Sequence, residues 1–175
     1  MLPPRPGHLP CFSYVGLYRY FLTFTTDFRR PLFTSADAVD LALLQFRRAV
    51  AEEKFAISAY CFMPDHVHLL LQATAEDSDL RRCQRKLKQL SGYYYQQQFK
   101  RALWQRDGYD HVLRNNEATG AIIRYILENP LKAGLAASVT DYPFVGSDVF
   151  SIPELLDFLR SGATWDPDAD GAQPS

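Results

Sequence analysis

The chain has 175 residues, of which 47% are hydrophobic and 14% aromatic, enough for one independently folding core. Its three cysteines, Cys11, Cys61 and Cys83, are odd in number and form no CxxC pair, which argues against a disulfide framework or a cysteine zinc site. The formal net charge of −1 at first argues against a nucleic-acid partner, because Lys and Arg contacts to phosphate supply most of the affinity for DNA.

The charge is unevenly distributed along the chain. Residues 141–175 carry seven acids and one base, a net −6, so the whole chain's −1 leaves +5 for residues 1–140. Within these, residues 80–106 contain eight bases and no acid, which predicts a local cationic face. The eight are Arg81, Arg82, Arg85, Lys86, Lys88, Lys100, Arg101 and Arg106.

The first half of the chain predicts alternating strands and helices. Residues 18–24 are rich in aromatics and predict a strand, and Ser35 is expected to cap a helix whose apolar residues recur at helical spacing. Residues 56–62 and 67–71 predict two neighbouring antiparallel strands, separated by a turn at Pro64.

The second half continues the pattern. Ser78 is expected to cap a long basic helix running to about Lys100, followed by a short strand at residues 109–114. A helix is then predicted from Asn116 through Glu128, with Pro130 and Gly134 as its end.

The C-terminal part predicts little regular structure. Residues 151–160 predict a last short helix, and the polar, acidic stretch from residue 163 predicts disorder. No internal repeat and no membrane-spanning run is present, and the proline-rich start lacks the apolar stretch of a signal peptide. We therefore expect a cytoplasmic protein, associated with the nucleoid when bound to DNA. The elements together predict an α+β fold, a ferredoxin-like antiparallel sheet packed with helices.

Two histidines on the third predicted strand have the spacing of a metal-ligand pair. His66 and His68 are two residues apart, so both imidazoles project from one face of the strand. Such a pair can converge on one divalent cation. The alternative is that both are half-buried strand residues with ordinary hydrogen bonds.

The helix predicted from Asn116 holds a second pair of polar side chains. Tyr125 and Asn129 are four residues apart, so a phenol and an amide share one helix face. Taken singly, a core tyrosine and a helix-ending asparagine are the commoner interpretation.

Three segments together resemble one known family. They are YCFMPDHVHLLLQ at residues 60–72, WQRDGYDHVLR at 104–114 and IRYILENPLKAGL at 123–135. In this order and spacing they resemble the single-tyrosine HUH transposases, specifically the IS200-like, REP-associated tyrosine transposases. The resemblance implies a ferredoxin-like HUH endonuclease fold with His66 and His68 as metal ligands, Tyr125 as the nucleophile and Asn129 as a further ligand. It also implies that Tyr125 cleaves DNA through a covalent 5′-phosphotyrosine.

The partners and cofactor follow from this resemblance and from the residue types. Two imidazoles and an amide leave open positions that suit Mg²⁺ or Mn²⁺. Single-stranded or hairpin DNA with palindromic repeats is the expected partner, and monomer and homodimer both stay open. The bases of residues 80–106, together with Trp104 and Arg114, are predicted to bind DNA by phosphate contact and base stacking. Asp110 and His111 are possible supports of the metal ligands.

The resemblance also divides the chain. Residues 18–140 are the predicted transposase domain, 1–17 an N-terminal extension, 141–162 a C-terminal extension with a short helix, and 163–175 an acidic tail. Two other functions stay open: a domesticated DNA-hairpin-binding protein with little or no cleavage, and an unrelated metal hydrolase that uses metal-bound water.

Overall fold

A computed structural model of the chain describes residues 14–113 and 116–162, and only the backbone of residues 107–113 and 116–118. The predicted terminal extension and acidic tail lie largely outside these residues, as does Arg114. In chain order, the strands and longer helices are β1 (Arg19–Thr26), α1 (Ala36–Glu52), β2 (Phe55–Met63), β3 (His66–Ala73), α2 (Leu80–Phe99), β4 (Trp104–Leu113), α3 (Asn116–Lys132), β5 (Val145–Gly146) and α4 (Ile152–Ser161).

The five strands form one antiparallel sheet in the order β4-β1-β3-β2-β5. The first four strands and the helices α1 and α2 have the ferredoxin-like β1-α1-β2-β3-α2-β4 order, which confirms the predicted α+β fold. β2 and β3 are antiparallel neighbours across the Pro64 turn, also as predicted.

Apolar side chains of the strands project alternately from the two faces of the sheet, so helices pack on both faces. One face packs against α1 and α2 through a large core that includes Leu22, Phe24 and Leu69. The other face carries Phe21, Ala59, Cys61, Met63 and Leu70, and packs against α3 and α4. His66 and His68 project from the same face of β3 as Leu70, so both lie on the side of the sheet that α3 covers.

Several predicted helix ends differ from the structure. Asp79, rather than Ser78, caps α2, because its carboxylate accepts hydrogen bonds from the backbone N–H groups of Arg81 and Arg82. The hydroxyl of Ser78 instead donates to the carbonyl oxygen of Lys54. Ser35 does precede α1, but its side chain makes no capping hydrogen bond.

The prediction that Pro130 ends α3 is wrong. The helix runs to Lys132 with Pro130 inside it, and the N–H of Ala133 still bonds to the carbonyl oxygen of Asn129. Proline removes one N–H donor, but the carbonyl oxygen of Pro130 still accepts a hydrogen bond from the N–H of Leu135. The chain leaves the helix at Gly134, whose φ of 69° is the left-handed value typical of helix C-termini.

The segment after α3 fastens this helix to the sheet. β5 pairs with β2, and the hydroxyl of Tyr142 donates to the carbonyl oxygen of Phe62 at 2.7 Å. α4, capped by a Ser151–Glu154 capping box, contributes Leu155 to the core beneath α3. Arg124 of α3 donates to the carbonyl oxygen of Leu159. The predicted helix at residues 151–160 is thus confirmed, and it packs on α3.

In the part of the chain that the structure describes, no helix is long and apolar enough to cross a membrane.

Candidate active site

The two histidines of β3 converge on one point. Their Nε2 atoms lie 3.1 Å apart, and their rings meet edge to face with centroids 4.6 Å apart. The prediction that both imidazoles point the same way is confirmed. Two ligands bound about 2.1 Å from one ion at angles of about 90–110° lie ~3.0–3.4 Å apart. The separation of the two Nε2 atoms therefore fits a shared divalent cation.

The other nitrogen of each ring is held by a neighbour. The Nδ1 atom of His66 lies 2.6 Å from the Oδ1 atom of Asp65, and that of His68 lies 2.8 Å from the Oγ1 atom of Thr23 on β1. A carboxylate only accepts hydrogen bonds, so the Nδ1 atom of His66 is the donor to Asp65, and in the neutral ring the lone pair is then on Nε2. The hydroxyl of Thr23 can accept from His68 in the same way. Both rings are oriented as metal-bound histidines usually are.

His68 lies deep in the fold and is uncharged at neutral pH. Only 4% of its surface is exposed. Burial, with a smaller contribution from His66, lowers the pKa of His68 from 6.5 to about 3. A neutral imidazole keeps the lone pair that a metal ligand needs. Among the described side chains, no group of three or more His, Cys, Asp and Glu residues could hold a metal. A further ligand would be of another type, or lie among the side chains that the structure does not describe.

The buried His68 gives the metal-free protein a pH-dependent stability. In the unfolded chain this imidazole takes up a proton near pH 6.5, whereas in the folded protein it stays neutral until about pH 3. The unfolded state binds more protons in this window, so stability falls as the pH is lowered through it. We expect His68 to account for a loss of about 2 kcal/mol in the free energy of unfolding between pH 7 and pH 5.

Urea denaturation in EDTA at the two pH values measures this loss, and His68→Asn is the control because it removes the titrating group. The loss should be smaller in His68→Asn by about the expected amount. Equal losses in both proteins would show that His68 is not kept neutral by burial.

Asp65 is expected to strengthen metal binding without touching the ion. Asp65→Ala removes the acceptor that orients the ring of His66, and the loss of such partners typically weakens metal affinity about 10–100-fold. Calorimetric titration with Mn²⁺ measures the change. Asp148→Ala is the matched control, because it removes a carboxylate that pairs with Arg47 away from the histidines. Equal affinities of Asp65→Ala and wild type would show that Asp65 does not orient His66.

Tyr125 of α3 lies against the histidine pair. Its ring packs edge to face on His68, with centroids 5.2 Å apart, and on Phe21 of β1 at 5.8 Å. The ammonium group of Lys132 lies 6.0 Å from the centroid of the Tyr125 ring. Asn129, one turn further along α3, is half-buried, and its role as a metal ligand stays a prediction. The structure thus brings Tyr125 and the two histidines together on one side of the sheet.

The basic residues of α2 lie elsewhere. α2 packs with α1 on the opposite face of the sheet from His66, His68 and Tyr125. Helix α2 contains no acidic residue, but Glu52 at the end of α1 and Glu53 directly after it lie next to its basic residues. Lys86 contacts Glu52 at 2.6 Å and Glu53 at 2.8 Å, and Arg82 contacts Glu53 at 3.2 Å. The fold thus pairs two bases of the predicted local cationic face with acids, and the DNA-binding role of that face stays a prediction.

Other predicted DNA-binding residues have separate positions. The ammonium group of Lys88 donates to the backbone carbonyl oxygens of Gln105 and Arg106 at the start of β4. Arg81 stacks on Tyr14 at 4.8 Å, whereas Arg85, Lys100, Arg101 and Arg106 are exposed. For all these residues DNA binding stays a prediction.

Trp104 is half-buried and packs against the core on the α1 and α2 side of the sheet. Its ring stacks on Phe46 with an interplanar angle of 16° and contacts Phe24 and Phe33, and its indole N–H donates to the hydroxyl of Ser91. These contacts give no support to its predicted role as a stacking surface for bases, which stays a prediction. The side chains of Asp110 and His111 lie outside the described residues, although their backbone in β4 pairs with β1.

Two site residues were missed from the sequence. Asp65 directly precedes His66 in the sequence, so a carboxylate next to this imidazole could have been predicted. Thr23 gave no such signal, because only the register of β1 against β3 places Thr23 opposite His68.

Known proteins that resemble this chain identify its family. A family model described as "Transposase IS200 like" matches residues 14–129. The chain therefore belongs to the IS200-like transposase family, a class of DNA-transposing proteins.

The similar proteins include REP-associated tyrosine transposases, which confirms the resemblance drawn from the sequence. An Escherichia coli REP-associated tyrosine transposase is 28% identical over 108 residues, 59% of this chain and 59% of that protein. A Haemophilus influenzae protein named as a candidate member of the same group is 24% identical over 138 residues, 71% of this chain and 77% of that protein. The structure of a REP-associated tyrosine transposase bound to a REP hairpin matches with a TM-score of 0.67 at 22% identity, covering 80% of this chain and 82% of that one. This last match establishes a shared fold.

Proposed function

We propose that this transposase is a metal-dependent endonuclease and strand transferase for single-stranded DNA, acting through a covalent 5′-phosphotyrosine at Tyr125. One observation carries the proposal: the Tyr125 ring packs on His68, whose Nε2 atom lies 3.1 Å from that of His66. A nucleophile and a pair of metal-ligand nitrogens thus lie side by side. A core tyrosine would need no such neighbours.

Tyr125 would attack the phosphorus of a phosphodiester. The bond from its phenolic oxygen to phosphorus forms, the bond from phosphorus to the 3′ oxygen breaks, and the phenolic proton is lost. The departing 3′ oxygen takes up a proton and becomes a free 3′-OH, while the 5′ phosphate stays on the tyrosine. Because the ester retains the energy of the phosphodiester, the 3′-OH of another strand can reverse the step without ATP.

The surrounding residues have distinct roles in this step. His66 and His68 would hold the cation, and Asp65 and Thr23 fix the directions of their Nε2 lone pairs. Mg²⁺ or Mn²⁺ bound there would polarise the phosphate and stabilise the departing oxygen. The position of Tyr125 beside a phosphate bound at the histidine pair would contribute to the rate by proximity. Phe21 and His68 pack against the Tyr125 ring and restrict its orientation.

Hairpin-forming DNA is the proposed substrate. The structurally similar transposase is bound to a REP hairpin, and residues 1–140 of this chain have a net charge of +5 that suits a polyanion. An attacking tyrosine must reach a phosphodiester from one side. Unpaired DNA next to a hairpin allows this approach, because its backbone is not held in a duplex.

The covalent product distinguishes this function from hairpin binding alone. Wild-type protein, mixed with Mn²⁺ and hairpin DNA labelled on the 3′ side of the expected cut, should give a labelled protein band on a denaturing gel. Peptide mapping should locate the label on Tyr125. A protein that binds the hairpin but forms no adduct with any divalent cation would instead be a hairpin-binding protein.

A further inference from the structure

A phenylalanine next to the candidate active site faces solvent. β1 ends in a 3₁₀ turn, Asp27–Arg29, in which Phe28 is 79% exposed. Phe28 is the most exposed large apolar side chain of the described residues. Because the Phe28 ring stays in water, it contributes no hydrophobic stabilisation to the fold.

The backbone at this turn is strained as well. Phe28 has φ 52° and ψ 27°, and Arg29 has φ 52°, so two successive residues with side chains adopt the left-handed conformation that usually requires glycine. Backbone hydrogen bonds nevertheless hold the segments on either side of the turn. Before it, the N–H groups of Thr26 and Asp27 donate to the carbonyl oxygens of Asp65 and Leu103, and after it the N–H of Phe33 donates to that of Pro64. Strain maintained by surrounding contacts is typical of binding and catalytic sites.

The turn adjoins the histidine pair through Asp65. The Nη1 atom of Arg29 lies 3.5 Å from the Oδ2 atom of Asp65, whose Oδ1 atom lies 2.6 Å from the Nδ1 atom of His66. Thr25 pairs with His66 across β1 and β3. Phe28 is only three residues beyond Thr25, which limits its Cα atom to about 11 Å from that of Thr25. A DNA strand with its phosphate at His66 would pass close to this turn.

The charges of the turn suit a phosphate backbone. The guanidinium group of Arg30 lies 5.1 Å from the centroid of the Phe28 ring. The side chains of Arg29 and Arg30 are 70% and 54% exposed. Proteins hold unpaired nucleotides with exposed rings next to exposed cations, because the ring stacks on a base and the cations contact phosphates.

We propose that Phe28 stacks on an unpaired base next to the scissile phosphate, and that Arg29 and Arg30 contact the phosphates on either side of it. This inference rests on the proposed function, because it names a substrate contact of the same site. The left-handed backbone presents the ring to solvent before DNA arrives, so little ordering is needed on binding. The stacked base fixes which phosphodiester lies at Tyr125, which makes Phe28 a positioning residue.

Binding measurements test the inference separately from cleavage. The full chain carrying Tyr125→Phe is titrated in Mn²⁺ into a fluorescent hairpin with unpaired flanks, and anisotropy is recorded. Adding Phe28→Ala should weaken binding about 5- to 150-fold, the range expected for loss of one stacked base. Phe28→Trp should restore it. Tyr93→Ala is the matched control, since Tyr93 is a 59% exposed aromatic residue on α2, and it should have no effect.

Abasic substitutions locate the contact. Each unpaired nucleotide of the flanks is replaced in turn by an abasic one, and each oligonucleotide is titrated with and without Phe28→Ala. At one position the missing base should cost as much affinity as Phe28→Ala, and the two changes together should cost no more than one. Full additivity at every position overturns the inference.

Three further outcomes separate this inference from the proposed function. Equal affinity of Phe28→Ala and the Tyr93→Ala control overturns the stacking role, even if wild type forms the adduct. A change in the oligomeric state of Phe28→Ala with unchanged DNA affinity also overturns it, and identifies a protein interface. If the affinity depends on Phe28 but wild type never forms an adduct, the stacking role is supported and the proposed cleavage fails.

Discussion

Tyr125→Phe should abolish both DNA cleavage and the covalent adduct while leaving the fold and hairpin affinity nearly unchanged. The substitution removes only the phenolic oxygen, so the ring keeps its contacts with His68 and Phe21 and the stability changes little. The reaction requires that oxygen to form the bond to phosphorus. The expected loss is complete rather than partial, because no other group of the Tyr125 side chain can act as a nucleophile.

The measurement is a denaturing gel of labelled hairpin DNA with Mn²⁺, in parallel with thermal unfolding and anisotropy. Tyr93→Phe is the control, because it removes the same atom from an exposed tyrosine on the opposite side of the sheet. Cleavage by Tyr125→Phe without any adduct would show that metal-bound water is the nucleophile and that the protein is a hydrolase of another class. An adduct mapped to a different tyrosine would support the covalent mechanism and show that this other tyrosine, not Tyr125, is the nucleophile.

His66→Ala should lower the cleavage rate by about 10³-fold or more, because it removes one of the two ring nitrogens that converge on the cation site. His66 is the better of the two histidines for this test, since its side chain is 21% exposed and its truncation leaves a smaller cavity than that of the buried His68. His68→Asn should have a comparable effect on the rate and a larger one on stability.

Single-turnover cleavage at increasing Mn²⁺ concentration measures the loss, and calorimetry measures Mn²⁺ binding to the same variants. Hairpin affinity in EDTA serves as the control, since it reports DNA binding without the cation and should stay close to wild type. Wild-type cleavage by His66→Ala, or full wild-type activity in EDTA, would remove the metal site from the mechanism.

The sequence was most informative where chemistry and local structure coincide. A period of two around His66 and His68 was enough to place both rings on one face, because strand geometry fixes side-chain direction. The turn at Pro64 between two apolar runs defined the β2–β3 hairpin for a similar reason. In both cases the residues that determine the structure lie within a few positions of one another.

Features that depend on contacts between distant segments could not be predicted in this way. The sequence run around Lys86 contains no acid, and nothing nearby in the chain shows that Glu52 and Glu53 will pack against it. Trp104 looks like a stacking residue next to Arg101 and Arg106, but tertiary packing places it against Phe46. Proline ends most helices, yet α3 continues through Pro130 to Lys132.

The segment that holds α3 against the sheet lies beyond the residues that the family model matches. That match ends at residue 129, whereas β5, Tyr142 and α4 all follow it and pack against α3 or against the sheet beneath it. Under the proposed function, substitutions in this segment would change the angle at which Tyr125 meets DNA while leaving every residue of the three motifs intact. A comparison of those motifs alone would overlook this source of variation in target choice.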